Sequence, residues 1–340
     1  MKKLVSIILG VSLLLMCLCA CSDHTNTSAN DTNETNNNAS VENLNGSDDV
    51  IKVGFSHPSI QEYQAILLSY CDQYMAEAGI ECLGQLNCNG DEAKHIQNIE
   101  VLVQQGADMV LVNADDVEVA ATYVQAAKGT PIQFMANRPT DEVMAMENVY
   151  YVGGDEEQAG VICGEYAAKV LKEQGNTEIN YVVLQGTLGM HTTKVRTEGA
   201  IEGLKSAGLP INEVFVDTAL WTREGAIEKL TPILSTGVDI DVVFCNNDDM
   251  ALGAVEALKT AGLNDEVIVC GVDGMDTALQ AIKNGDLDFT AGLPPAQLAE
   301  QHIKVAKAVG SGEEIEHDIE LEYIGISVEN IDEYNEMLGK

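Results

Sequence analysis

Polar and aromatic side chains recur directly after the apolar runs of this 340-residue chain. Five of them are Asn113, Arg196, Trp221, Asn247 and Asp273. Amides, a guanidinium and a carboxylate mix hydrogen-bond donors with acceptors, and an indole face packs on apolar C–H groups. Such a set is suited to a small molecule with many hydroxyl groups.

Each of these side chains also has an ordinary structural alternative. Trp221, the single tryptophan of the chain, is of a type common in cores, and Arg196 could pair with a surface acid. Asn247 or Asp248 is expected to cap the helix predicted from Asp249 onward. We assign Asn247 to the ligand and Asp248 to the cap or to a supporting role. His57 and His191 are interpreted as polar loop histidines rather than catalytic ones.

Short β-rich runs alternate with helical patterns from residue 50 onward. One series extends from Ile51 to Met135, and a second is predicted to begin at the run 150–153. Apolar strands separated by helices of this length are typical of parallel sheets covered on both faces. The predicted fold class is therefore α/β with two doubly wound sheets, whose ligands bind beyond the carboxyl ends of the strands.

The amino-terminal segment predicts where the protein is located. Two lysines precede an apolar run from Leu4 to Leu18, and Leu18-Cys19-Ala20-Cys21 follows. This order is typical of a secretory signal peptide, and its ending resembles the bacterial lipoprotein signal, in which the cysteine is acylated. Residues 1–20 are predicted to be the signal and Cys21 the lipidation site. An ordinary signal with an incidental cysteine is the alternative.

Residues 22–49 consist almost entirely of small polar and acidic residues without apolar periodicity. Such a segment cannot bury enough surface to offset the entropy of ordering. We predict that residues 21–49 are a disordered tether, so the protein is extracytoplasmic and anchored to the cell membrane by lipid. A tether of this composition is suited to a Gram-positive surface.

Composition excludes several classes of protein. The formal net charge of -36 disfavours nucleic acid, because phosphate binding requires lysine and arginine. The cysteines beyond Cys21 form no C-x-x-C pair and no cluster with zinc spacing, so no metal site is predicted. Cys163, Cys245 and Cys270 are expected to be buried thiols, and pairing of Cys82 with Cys88 is left open.

Several segments resemble the periplasmic sugar-binding proteins of ABC importers, which are type I periplasmic binding proteins. The similarity is to the galactose/glucose- and ribose-binding branch and extends from about Ile51 to the carboxyl terminus. The matching segments are Tyr150-Tyr151-Val152-Gly153-Gly154-Asp155, Asp217-Thr218-Ala219-Leu220-Trp221, 242–255 and Gly271-Val272-Asp273.

The resemblance implies two lobes joined by a three-strand hinge, with a sugar bound between them. One lobe would comprise residues 50–138 and 294–319, and the other 139–293 and 320–340. The implied partners are a membrane permease and its ATPase. A monomer is expected, and no cofactor.

The resemblance also implies site residues. By position, the residues matching ligand-binding positions of the family are Tyr63, Asn113, Asn137, Arg138, Arg196, Trp221, Asn247 and Asp273. The pattern departs at Met190 and Thr192, where the galactose/glucose branch has a histidine and an aspartate, and at Leu293, where it has an asparagine. The ligand is therefore expected to be less hydroxylated than glucose or galactose. The segment 173–177 is too short and ligand-poor for that branch's calcium loop, so no calcium is predicted.

Other functions remain as alternatives. The same fold serves as a sensing module for a chemoreceptor or a sensor kinase, and nothing in the sequence separates sensing from transport. A glycosidase needs two carboxylates across one bond, whereas the candidate cleft residues are mostly amides and arginines. A sugar-responsive repressor needs an amino-terminal DNA-binding segment where this chain has its signal and tether.

Overall fold

Strands and helices alternate along the computed structural model, which describes residues 50–58, 60, 62–114 and 116–338. The predicted signal peptide, Cys21 and the tether lie outside the described residues. The strands are β1 (Lys52–His57), β2 (Glu81–Asn87), β3 (Met109–Asn113), β4 (Ile132–Met135), β5 (Val149–Gly154), β6 (Ile179–Gln185), β7 (Ile211–Thr218), β8 (Val242–Cys245), β9 (Ile268–Asp273), β10 (Phe289–Gly292), β11 (Asp318–Leu321) and β12 (Ile324–Ile326).

The α-helices are mostly longer than the strands and lie between them in the chain. They are α1 (Glu62–Ala78), α2 (Glu92–Gln104), α3 (Ala120–Ala127), α4 (Asp141–Met144), α5 (Glu156–Gln174), α6 (His191–Lys205), α7 (Arg223–Leu234), α8 (Asp248–Ala261), α9 (Asp276–Asn284), α10 (Pro295–Gly310) and α11 (Ile331–Met337). Within the described part of the chain, none of them is long and apolar enough to cross a membrane.

The strands form two six-stranded sheets. The first has the order β11-β5-β4-β3-β1-β2 and is parallel throughout. The second has the order β12-β10-β9-β8-β6-β7 and is parallel except for the edge strand β12, which runs antiparallel to β10. Central strands such as β3 and β8 are buried along their whole length, because helices cover both faces of each sheet.

The predicted start of the second series at Tyr150 is wrong. This segment is β5, which pairs with β4 in the first sheet in the register Ile132↔Val149. The short helix α4 makes the connection, and Arg138 just before it binds Asp318 of β11 in the same sheet. The chain therefore crosses to the second sheet after Gly154, not at Arg138.

Three segments connect the two lobes, each lobe being one sheet with its covering helices. They lie between β5 and α5, between β10 and α10, and between β11 and β12. The predicted fold class, two doubly wound parallel-sheet lobes with a three-strand hinge, is confirmed. The carboxyl ends of both sheets consequently border one cleft.

Glycines bring α5 and α6 of the second lobe unusually close together. A Cβ at Gly164 would lie 2.2 Å from the carbonyl oxygen of Ala200, and one at Gly203 would lie 2.2 Å from that of Val161. Gly160 and Gly199 make the same kind of contact one turn earlier. This approach of the two backbones places the first turn of α5 beside the middle of α6.

Candidate functional site

The cleft between the lobes contains a cavity of about 560 Å³. Loops after strands of both sheets line it, as expected for doubly wound sheets. Seven of the eight predicted site residues border this cavity, and their contacts with a ligand stay predictions. They are Tyr63, Asn113, Asn137, Arg196, Trp221, Asn247 and Asp273.

Arg138 is the predicted site residue that does not line the cavity. Its Nη2 donates to Asp318 at 2.7 Å and its Nη1 donates to Asp141 at 2.9 Å. These carboxylates raise the pKa of the guanidinium further above its ordinary value. Asn137 and Arg138 are adjacent in sequence, yet the first lines the cavity and the second holds β11 to the rest of its sheet.

Trp221 forms part of the wall contributed by the second lobe. Its indole lies against Gly186, where a Cβ would approach the ring to 2.1 Å, so only glycine leaves room for it. The indole Nε1 points to the sulfur of Met190 at 3.4 Å. Leu220 and Trp221 both have positive φ, 56° and 64°, which is uncommon for residues with a side chain. The loop therefore stores backbone strain where the ring is presented to the cavity.

Asn247 combines a structural role with its place on the cavity wall. Its Oδ1 accepts a hydrogen bond from the backbone N–H of Met250, so Asn247 rather than Asp248 is the cap of α8. Its Nδ2 donates to the carbonyl oxygen of Trp221. This amide ties the Trp221 loop to the start of α8.

Asp248 supports the loop that carries Asp273. Its carboxylate accepts hydrogen bonds from the backbone N–H of Met275 and the hydroxyl of Thr290, at 2.8 and 2.6 Å. It is fully buried, which raises its pKa well above the ordinary value. Asp273 has a φ of 125°, a conformation rarely adopted by residues other than glycine. Asp248 thus helps to hold a strained segment at the cavity.

Arg196 is the centre of a buried polar cluster. Its Nε donates to Glu156 at 2.5 Å, and its Nη2 donates to the hydroxyl of Tyr323 at 3.0 Å. Its Nη1 donates to the carbonyl oxygen of Asn246 at 2.7 Å and to Asp273 at 3.3 Å. Tyr323 in turn donates to Glu156 at 3.0 Å. The guanidinium therefore binds residues from α5, from the loops after β8 and β11, and from β9.

Glu156 and Tyr323 line the cavity and were not predicted from the sequence. Glu156 begins α5 directly after one crossing segment, and Tyr323 lies in another. Glu156 could have been identified from the polar residues that follow β5. It was missed because β5 was assigned to the second lobe, so Glu156 was not expected beside the cleft. Tyr323 lies between two short, half-buried strands, and no pattern in the sequence distinguishes it.

Two further hydrogen-bond groups join the lobes at the cavity. Asn137 accepts from both the hydroxyl and the backbone N–H of Thr192, at 2.5 and 3.2 Å, and its Nδ2 donates to Ala114. Tyr63 donates to the carbonyl oxygen of Leu293 at 3.3 Å, in the segment between β10 and α10. Thr192, a departure from the family pattern, is thus the partner of Asn137 across the cleft.

The histidines of the first lobe form a separate buried group. His57, His95 and His302 are each at most 2% exposed, and His57, predicted to be a loop residue, borders the cavity. Burial lowers the pKa of His57 and of His95 to about 4 and that of His302 to about 3. The Nδ1 of His302 accepts a hydrogen bond from the Gln133 amide at 2.7 Å. These rings are therefore neutral at pH 7.

Comparisons with known proteins agree with this geometry. A family model described as periplasmic binding protein domain matches residues 53–314. The D-galactose/methyl-galactoside binding periplasmic protein MglB of Haemophilus influenzae is 30% identical over 72% of this chain and 80% of its own length. The ribose import binding protein RbsB of Bacillus subtilis is 26% identical over 94% of this chain and 97% of its own length.

Solved structures extend the likeness. An ABC transporter solute-binding protein from Bacillus halodurans with bound myo-inositol superimposes with a TM-score of 0.78 and 29% identity. The match covers 86% of this chain and 99% of that one. A periplasmic solute-binding protein from Actinobacillus succinogenes with bound D-allose has a TM-score of 0.77 at 23% identity, which supports the shared fold.

Proposed function

The chain belongs to the periplasmic binding protein family, and on this premise we propose that it captures a monosaccharide-like ligand between its lobes and delivers it to an ABC import permease. The resemblance to sugar-binding proteins of ABC transporters, predicted from the sequence, is confirmed by the family match and the relatives. The particular ligand, its site and the delivery step are the proposal.

The cavity wall is the observation that carries the proposal. Amides from the first lobe, Asn113 and Asn137, border the same cavity as Asn247, Asp273 and Trp221 from the second. Amide groups donate hydrogen bonds to hydroxyls and accept them, and carboxylates accept hydrogen bonds from hydroxyls. An indole packs on the C–H face of a sugar ring. Binding would require both lobes, so it would favour the closed arrangement that a permease recognises.

The membrane anchor is part of the same proposal. Cys21 would carry the lipid, and residues 22–49 would give the folded part reach to a permease in the same membrane. A single acyl chain binds a membrane only marginally, whereas two or more anchor it stably. Acylation is tested by growth with a labelled fatty acid. We expect label on the wild type, no label on Cys21→Ala, and release of that variant from the membrane.

Binding is tested by titrating purified protein with hexoses, pentoses, deoxy sugars and polyols while recording tryptophan fluorescence and heat. Trp221 is the single tryptophan, so a change in emission reports on this cavity. Saturation with one ligand in both signals, with the heat of binding lost in Trp221→Ala while that variant keeps its circular dichroism spectrum, supports the proposal. Absence of binding across the panel would contradict it.

A further inference from the structure

The charges on the cavity wall are unbalanced. Among the described residues that border it, three are acidic, Glu156, Asp249 and Asp273, while Arg196 is the one cationic side chain and no lysine is present. Asp249, which is partly exposed, is paired with Arg223 at 3.3 Å. The imbalance therefore concerns Glu156 and Asp273, which share one guanidinium.

Four of the five N–H groups of Arg196 already donate within the protein, so at most one is left for a ligand anion. Each of its three nitrogens already donates within the protein, to Glu156, to Tyr323, and to Asn246 together with Asp273. The side chain is 8% exposed, so an anion that takes more than this one N–H would have to replace a buried partner. Separating the two partners of a buried ion pair is strongly unfavourable, because one charge is left buried without compensation.

Asp273 is the less compensated of the two carboxylates. Its hydrogen bond from Arg196 is 3.3 Å long, whereas Glu156 receives donors at 2.5 and 3.0 Å. Burial raises the pKa of Asp273 to about 7 even though Arg196 opposes the rise. The titratable groups that act on it come from several elements, and they are Arg196, Glu156, Asp248, Asp249, Tyr63 and Tyr323.

The aromatic lining favours the same sign of charge. Tyr63, Trp221 and Tyr323 all border the cavity, and the ring of Tyr323 already lies against a cation, the Arg196 guanidinium at 5.8 Å. The faces of aromatic rings attract cations. A buried carboxylate with a long hydrogen bond and aromatic rings contributed by both lobes together make an environment for a positively charged group.

We propose, on the basis of the proposed function, that the preferred ligand is a polyhydroxyl compound with one ammonium group, an amino sugar or an aminocyclitol, bound at Asp273. The ammonium supplies the missing positive charge, and charge-assisted hydrogen bonds to a carboxylate are stronger than neutral ones. Sugars carrying phosphate or carboxylate bind more weakly, because the carboxylates of Glu156 and Asp273 repel them and at most one N–H of the guanidinium is left for the anion.

The test compares matched ligands on purified protein by calorimetry at pH 7. The series are D-galactose, D-galactosamine and D-galacturonic acid, the corresponding D-glucose compounds, and the amine and acid counterparts of any other sugar or polyol that binds in the wider panel. We expect the amine of a binding series to be about tenfold tighter than its neutral parent, and the acid at least about tenfold weaker. A neutral parent that binds as tightly as the amine, or an acid that binds as tightly as the parent, would overturn the inference.

Variants separate the charge effect from loss of the fold. Asp273→Asn and Glu156→Gln should each lower the amine-to-neutral affinity ratio several-fold, because each removes one negative charge from the cluster. Asp217→Asn, in the same lobe but paired with Lys229 outside the cavity, is the matched control and should leave the ratio unchanged. An unchanged ratio in both cluster variants would contradict the assignment.

Failure of the inference differs from failure of the proposed function. Binding of neutral sugars without preference for the amine rejects the inference and keeps the sugar-binding function. Absence of binding by every member of the series and of the wider sugar panel rejects both. The Glu156→Gln variant keeps the test available if Asp273→Asn does not fold.

Discussion

The two lobes bury titratable side chains in opposite ways. The first lobe encloses His57, His95 and His302 as neutral rings, whereas the second encloses Arg196 paired with Glu156 and Asp273. The folded state is destabilised when a buried neutral ring must take up a proton. It is also destabilised when one partner of a buried ion pair is removed. One molecule thus contains two kinds of polar interior, and the cavity lies between them.

Removing the guanidinium of the second lobe should have the largest effect. Arg196→Met leaves Glu156 without its cation in a buried site, which costs about 3–5 kcal/mol in the free energy of unfolding. Denaturant unfolding measures this change. Arg223→Met, which breaks the partly exposed pair with Asp249, should cost at most about 1 kcal/mol. Equal losses in both variants would contradict the contrast between the sites.

The pH dependence of stability should have opposite signs in the two lobes. The pKa of His302 is about 3 in the folded protein and about 6.5 in the unfolded chain. Between pH 3 and pH 6.5 the unfolded chain therefore binds one more proton at this residue than the folded protein does. Its contribution to stability is present above pH 6.5 and decreases by about 1.4 kcal/mol for each pH unit towards acid. His302→Gln should therefore flatten the curve of unfolding free energy against pH between 4 and 6.

Asp273 provides the counterpart with the opposite sign. Its folded pKa of about 7 lies above the ordinary 3.8, so the folded protein binds the extra proton between these values. Its contribution is favourable at acid pH and is lost as pH rises through this window. Asp273→Asn should accordingly steepen the same curve. A curve that changes in the same direction in both variants would refute the comparison.

Helix packing gives a third contrast, of intermediate size. Gly203→Ala in the second lobe brings a Cβ to 2.2 Å from a backbone oxygen, and overpacking of this kind costs about 1–3 kcal/mol. Gly54→Ala in the first lobe meets side-chain atoms of Leu102 rather than backbone, and a side chain yields more readily than a helix backbone. We expect Gly54→Ala to lower the unfolding free energy less than Gly203→Ala does, as measured by thermal and denaturant unfolding.

The smallest expected effect concerns the link between the lobes. Asn137→Ala removes the hydrogen bonds to Thr192, each of which contributes about 1 kcal/mol. Because Asn137 spans the cleft, the substitution should weaken sugar binding. We expect the loss in binding free energy to be larger than the loss in unfolding free energy. Calorimetry and thermal unfolding on the same samples test this. Thr236→Ala, which removes an exposed hydroxyl that donates to Ile233 away from the cavity, is the control and should leave sugar binding unchanged.

Much of the fold and part of the site could be predicted from the sequence. Trp221, Asn247 and Asp273 were found because parallel strands end at one edge, so the residues that follow them converge. Glu156 was missed because β5 was assigned to the wrong sheet, and apolar strands of both sheets have the same pattern. Arg138 does not border the cavity, because side-chain direction at a strand end depends on tertiary partners, here Asp318.

The glycine contacts between α5 and α6 have a consequence for inheritance. Every single-base change of a glycine codon that alters the residue adds at least a Cβ, and at Gly164 or Gly203 that atom meets backbone 2.2 Å away. No residue that a single-base change can introduce therefore fits at these two positions. We expect sequence drift in descendants of this gene to spare these glycines while it alters ligand-contacting loops. The distance between Glu156 and Arg196 would then persist as specificity diverges.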